Sequence, residues 1–281
     1  MKKFTHQTEI SYDHDTEWQF VEWDKKKFTT FSKHYTVSLT DINDPEGITV
    51  FLGDEKGGIF KKGGYGIHNS DEIVMQVVEG HMPWWIGPDD TTGKLPGQFP
   101  GEEEVMDAKL LDGCIIPAGR GHGCPPVKEG IPENVTFLAI YTPPRGNTQP
   151  LPEKPGEAKW IEFTEHSFGE KGFIKYFDVG YWRITYFEFK DGFLPKKAKA
   201  LAQNDFDTYV FGLRGQFEFW FDPDKQVEKA TLLPWEGIYI PSGMPYYGRQ
   251  LGDWMGAVVT KHNDTTVRKL EIQDWEKVLS D

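Results

Sequence analysis

Apolar residues in this chain come in short runs separated by turn residues, not in long amphipathic stretches. "HYTVSL", "GITVFLG", "EIVMQVVEG", "GCIIPAG" and "VTFLAIY" succeed one another between Gly, Pro, Asn and Asp. Each is six to nine residues built around Val, Ile, Leu, Phe or Tyr, the length and composition of a strand with its turn. "TPPRGNTQPLPEKPGEAK", residues 142–159, then interrupts the pattern with Pro, Gly and charge that cannot fill a sheet interior. Strand-like runs resume with "FIKYFDVGYWRITYFEF", "TYVFGLRGQFEFWF" and "GIYIPSG". Only the terminal "EIQDWEKVLS" has helical spacing, with Ile272, Trp275 and Leu279 on one face. The expectation is an all-β chain of two parts, 1–144 and 160–281, joined by a linker at 145–159.

The two parts repeat one another. "HNSDEIVMQVVEG" (68–80) set against "QNDFDTYVFGLRG" (203–215) places Asn69 on Asn204, Glu72 on Asp207 and Gly80 on Gly215. "GCIIPAGRGH" (113–122) set against "GIYIPSGMPY" (237–246) matches the glycines, Ile116 with Ile240, and the proline. Two segments repeated in the same order imply a duplicated unit of small-domain size. The first copy is longer because "GPDDTTGKLPGQFPGEEE" is inserted at a hairpin.

Composition sharpens this picture. Aromatics are 15% of the 281 residues, so a packed core is available. A formal net charge of -13 disfavours nucleic acid or an anionic membrane as partner. The N-terminus "MKKFTHQTEISYDHD" has no apolar core or cleavage site of a signal peptide, and no run is long enough to span a membrane. Two cysteines, Cys114 and Cys124, are too few for a disulfide framework, which makes a reduced, cytoplasmic protein the default. A small-molecule substrate is the expected partner, and a homodimer is an open assembly.

The motifs resemble those of the cupin superfamily, and the duplication resembles a bicupin, two tandem jelly-roll (double-stranded β-helix) barrels. The family's first motif reads G-x5-H-x-H-x(3,4)-E-x6-G, and the second reads G-x5-P-x-G-x2-H-x3-N. Here "PAGRGH" matches P-x-G-x-x-H, and His68 with Glu72 matches H-x3-E. By that resemblance His68, Glu72 and His122 are the ligands of a divalent metal in the N-terminal barrel. Two imidazoles and one carboxylate leave coordination positions open, which suits Fe(II) first, with Mn, Zn or Ni as alternatives. Gly66 stands where the family has its first histidine, and the final Asn of the second motif is missing. Seven residues separate Glu72 from Gly80; period-two alternation then turns Glu72 away from the barrel unless a bulge intervenes. In the second half Gln203, Asp207 and Tyr246 take the ligand positions, so that half is expected to hold no metal.

Other residues are candidates for the same site. His81, just past Gly80, is a substitute ligand or acid/base. Arg120, between turn and histidine, is placed to hold a substrate carboxylate. Gln76 shares a face with Glu72 by alternation. Trp84 and Trp85 fall on opposite faces, so one of them faces the barrel. The resemblance points to an enzyme, a non-haem Fe(II) dioxygenase acting on a small aromatic or carboxylate-bearing metabolite. A redox-neutral isomerase, lyase or hydrolase, and a non-catalytic storage or binding bicupin, are the alternatives.

Overall fold

The computed structural model describes residues 17–29, 32–56, 64–66, 70–76, 82–87, 104–124, 134–193, 206–221, 228–244 and 246–261, with only the backbone at 72–76, 124 and some other strand positions. Strands carry nearly all of it. In chain order they are β1 (Gln19–Phe20), β2 (Asp24–Thr29), β3 (Ser32–Ser38), β4 (Thr49–Lys56), β5 (Gly64–Gly66), β6 (Asp71–Gln76) and β7 (Met82–Ile86). Next come β8 (Glu104–Ala108), β9 (Gly113–Ile116), β10 (His122–Cys124), β11 (Asn134–Thr142), β12 (Lys159–Trp160) and β13 (Thr164–Ser167). The chain continues with β14 (Gly172–Val179), β15 (Trp182–Phe189), β16 (Thr208–Phe221), β17 (Glu228–Leu232), β18 (Gly237–Ile240) and β19 (Tyr246–Lys261). A single 3-10 turn, Gly169–Lys171, is the only helical element among the described residues. No helix there is long and apolar enough to cross a membrane.

The chain divides into two compact units, Glu22–Glu162 and a second made of Met1–Val21 with Phe163–Asp281. In the first, a seven-stranded sheet ordered β12-β9-β6-β11-β4-β3-β2 accompanies a four-stranded sheet ordered β5-β10-β7-β8. Every pairing is antiparallel. Lys159–Trp160, at the end of the Pro/Gly-rich stretch, pairs with β9. Phe51, Trp84, Ile86, Met106, Cys114, Ile116, Phe137, Ala139 and Tyr141 come from both sheets and form one buried core. That is what alternation on short strands is for: each strand lends every second side chain to a shared interior. The hairpin β7–β8 pairs Met82 with Ala108 through Ile86 with Glu104, so the insertion does sit between paired strands; its residues 88–103 lie outside the described ones.

The second unit forms an eight-stranded sheet, β1-β18-β16-β19-β15-β14-β13 with β17 on β16. Its long strands β16 and β19 pair from Thr208 with Thr260 to Phe221 with Tyr246, through register shifts between Gly212 and Gln216. At that bend Gly215 has φ +75, and a Cβ there would meet the carbonyl of Asp253 at 2.0 Å, so only glycine fits. The interior is aromatic: Phe217, Phe219, Phe221, Phe189 and Trp254 pack with Ile238, Ile240 and Met244. Gln19–Phe20 pairs with β18 here, and Trp18 stacks on Phe221 at 4.6 Å while donating Nε1–H to Glu228. The expected C-terminal helix lies outside the described residues.

Candidate metal centre

The turn after β9 is built twice. Arg120 N–H donates to Pro117 O at 3.1 Å and Met244 N–H to Pro241 O at 3.2 Å. Gly119 and Gly243 occupy the third turn position with φ 81 and 77. A proline, a free position and a left-handed glycine make a type II turn, so P-x-G is a geometric requirement. Two residues past it, in the first barrel, the chain enters β10 at His122.

His122 is 4% exposed. It pairs with Gly66 on one side and Ile86 on the other, and Ile86 belongs to the barrel core. Trp84, on the same face of β7 and 4% exposed, lies edge-on to the imidazole with ring centroids 6.0 Å apart. Trp85 is half-buried on the opposite face, so Trp84 is the one that faces the barrel. His122 Nδ1 lies 3.0 Å from the carbonyl oxygen of Arg120. A carbonyl only accepts, so Nδ1 carries the proton and the lone pair of the neutral ring resides on Nε2. That tautomer is the one a metal-binding histidine needs, and a carbonyl on its far nitrogen is the usual way of fixing it.

Glu72 lies on β6, opposite Ile116 of β9 and Tyr141 of β11. Both partners are core residues, so position 72 falls on the interior face without a bulge anywhere in Asp71–Gln76. Residues 77–81, where a bulge before Gly80 would fall, lie outside the described residues. Gln76 falls on that face too, opposite Phe137. His68 and His81 lie outside the described residues.

Arg120 is 5% exposed; its Nε donates to Gly87 O at 2.9 Å and Nη1 to Gly156 O at 3.2 Å. The guanidinium thus ties the end of β7 and the Pro/Gly-rich segment to the turn, while its backbone carbonyl orients His122. Among the described side chains no three His, Cys, Asp or Glu converge as a metal cluster.

The repeat alignment also needs correction. Register pairs Glu72 with Ile116 and Thr208 with Ile240, so Glu72 corresponds to Thr208 and Asp71 to Asp207. His122 pairs with Ile86 as Tyr246 pairs with Phe221, which matches His122 to Tyr246 and Trp84 to Phe219. Asp207 is exposed and its Oδ1 accepts the Ser242 N–H at 2.9 Å, as Asp71 Oδ1 accepts the Ala118 N–H at 2.9 Å. The second barrel therefore has a buried threonine, 2% exposed, at the carboxylate position. Gln203 lies outside the described residues. The role of Asp71 was not read from the sequence; the paired aspartates at the start of the two strands are its signal.

No protein-family profile and no curated protein sequence matches the chain. Solved structures do. AerE from Microcystis aeruginosa aligns with TM-score 0.55 at 12% identity, covering 87% of this chain and 99% of that one. Bacillus subtilis oxalate decarboxylase, in a study of its Mn(II) centres, aligns with TM-score 0.55 at 11% identity over 89% of this chain and 78% of its own. The 7S globulin of Momordica charantia aligns with TM-score 0.56 at 10% identity over 91% and 89%. At such identities the likeness speaks for the fold alone, and these neighbours share the cupin fold. The chain is all-β and folds as two tandem cupin jelly-roll barrels.

Proposed function

We propose that the chain is a metal-dependent bicupin enzyme with one divalent ion in its N-terminal barrel, held by His68, Glu72 and His122. The observation that carries this is His122: buried, on the interior face, with Nδ1–H on the Arg120 carbonyl so that Nε2 is its ligand atom. Position 72 on the same barrel interior adds the carboxylate. A divalent ion here supplies a Lewis acid with open positions and, if iron, the electrons for dioxygen chemistry. The protein's own contribution is a fixed imidazole, a core that excludes water around it and an aromatic wall formed by Trp84 and Phe137.

The leading reading is a non-haem Fe(II) dioxygenase acting on a small aromatic or carboxylate-bearing metabolite. A redox-neutral reaction is the second reading, favoured by the structural likeness to an oxalate decarboxylase with Mn(II) centres. A storage role, the third reading, has against it that among the described residues Tyr246 stands in the second barrel where the oriented His122 stands in the first. Elemental analysis with an oxygen electrode separates the three. Iron with oxygen uptake on substrate supports the dioxygenase, manganese, zinc or nickel without uptake supports the redox-neutral enzyme, and absence of metal removes the proposal.

A further inference from the structure

Arg120, expected to hold a substrate carboxylate, spends its guanidinium on the carbonyls of Gly87 and Gly156. Arg183, Arg214 and Arg249 spend theirs on Asp178, Glu188 and Glu218. Arg145 is different. Its guanidinium carbon lies 4.9 Å over the ring of Phe51 and 5.0 Å over that of Tyr141, and no oxygen among the described residues accepts its guanidinium N–H groups. Both rings belong to the core of the first barrel, whereas Arg145 is only half-buried, so the cation sits at an end of that barrel within reach of solvent. Its backbone is pinned there. Gly146, with φ 85, follows it in a turn closed by Asn147 N–H on Pro144 O. Ser70 Oγ–H and Asn147 Nδ2–H donate to the same carbonyl, and Thr49 Oγ1 accepts the Arg145 N–H at 3.1 Å. Three buried polar side chains thus hold the turn that carries one arginine.

The second barrel has a guanidinium at the same end. Register runs Glu72–Tyr141–Thr49–Ser38 across the first barrel and Thr208–Thr260–Arg183–Asp178 across the second. Arg183 lies 4.5 Å over the Tyr176 ring and donates two hydrogen bonds to Asp178. In the first barrel Ser38 stands at the place of Asp178, and its hydroxyl shares a hydrogen bond with Thr49. The stacked cation recurs; the carboxylate does not. We infer that Arg145 binds the carboxylate of a small ligand, which takes at the end of the first barrel the place that Asp178 fills in the second. A guanidinium laid over aromatic faces presents paired N–H groups that match a carboxylate two by two. Position 72 neighbours Tyr141 in the same row, so this anchor adjoins the metal site proposed above and narrows the substrate class of that reading to carboxylates.

The test is a titration of the metal-free full chain with sodium acetate, with ionic strength held constant by sodium chloride. The Arg145 Nε–H resonance, assigned through its contacts with the Phe51 and Tyr141 rings, should shift and saturate. Arg145→Gln should raise the acetate Kd at least about tenfold, read from the backbone amides of residues 145–147. Ser38→Asp, which reproduces the second barrel's choice, should weaken acetate to a similar degree with Arg145 still in place. An unmoved resonance in wild type, or a wild-type Kd in either variant, would overturn the inference. Metal uptake plays no part in this readout, so failure of the metal centre and failure of the anchor are told apart. The resonance is read on the unaltered protein, so the test stands even if a variant does not fold.

Discussion

Asp71 Oδ1 accepts the backbone N–H of Ala118 at 2.9 Å, so the residue just before Glu72 clamps the turn that delivers His122. Asp207 holds Ser242 in the same way in the barrel that has no histidine at that place. The pair separates structural work from metal work. Asp71→Ala and Asp207→Ala should each cost about 1–2 kcal/mol, the loss of one carboxylate–amide bond, measured by denaturant unfolding. Only Asp71→Ala should also weaken metal uptake. Equal metal affinity in both variants would confine the aspartate to the fold.

His122→Ala and His68→Ala should each remove most of the metal while circular dichroism keeps its β signature. One imidazole and one carboxylate chelate a divalent ion far less firmly than three ligands do. Full metal occupancy in either variant, by elemental analysis, would refute this ligand set.

Glu72→Gln should likewise lower metal affinity and abolish turnover, because position 72 lies on the interior face opposite Ile116 and Tyr141. Thr208, at the matching place, predicts one metal per chain. Wild-type activity in Glu72→Gln would make His81 the next ligand to test, and two metal equivalents per chain would contradict the reading of the second barrel.

Acid stability should depend on Glu218. Burial alone would push its carboxyl up, but hydrogen bonds and charge from Lys229 and Arg249 outweigh that and hold it below the usual glutamate range. A depressed carboxyl contributes stability above its unfolded pKa, about 4.3, and loses it as pH falls through the lower folded value. Glu218→Gln should therefore be less stable than wild type at neutral pH, with the gap narrowing below about pH 4. A gap of constant size in pH-dependent thermal melts would show that the ion pairs with Lys229 and Arg249 do not set it.

The barrel fold was legible because its signals are local. Alternation over four to eight residues marks a strand, and P-x-G writes a type II turn into three letters. Motif order puts His122 two residues past that turn, and the structure finds it buried there opposite Ile86. The facing of Glu72 was not legible. It depends on which residue of β9 and β11 it opposes, a relation between segments far apart in sequence that counting forward to Gly80 does not supply. The same one-residue ambiguity misaligned the repeats, for a glycine match weighed more on paper than the aspartate pair that register shows to be equivalent. The charge of Arg120 is legible in the sequence, whereas the bonds of its Nε and Nη1 to neighbouring main-chain carbonyls, and of its own carbonyl to the His122 ring, are not. Hydrogen bonds to backbone leave no trace in residue types.

The pairing of Gln19–Phe20 with β18 makes the first barrel an insertion within the second. Synthesis and assembly then run in different orders. As the chain leaves the ribosome, Glu22–Glu162 has all its strands in hand while β1, made before any of them, still lacks its partner. That partner arrives only with Gly237–Ile240, after every strand of the first barrel has been made. A C-terminal fragment starting at Phe163 consequently exposes β18 as a bare edge, with Trp18 gone from the face of Phe221, and bare edges recruit other chains. Cutting the chain at its Pro/Gly-rich segment divides it between the barrels in sequence but not in structure, and the N-terminal piece carries away a strand belonging to the other half.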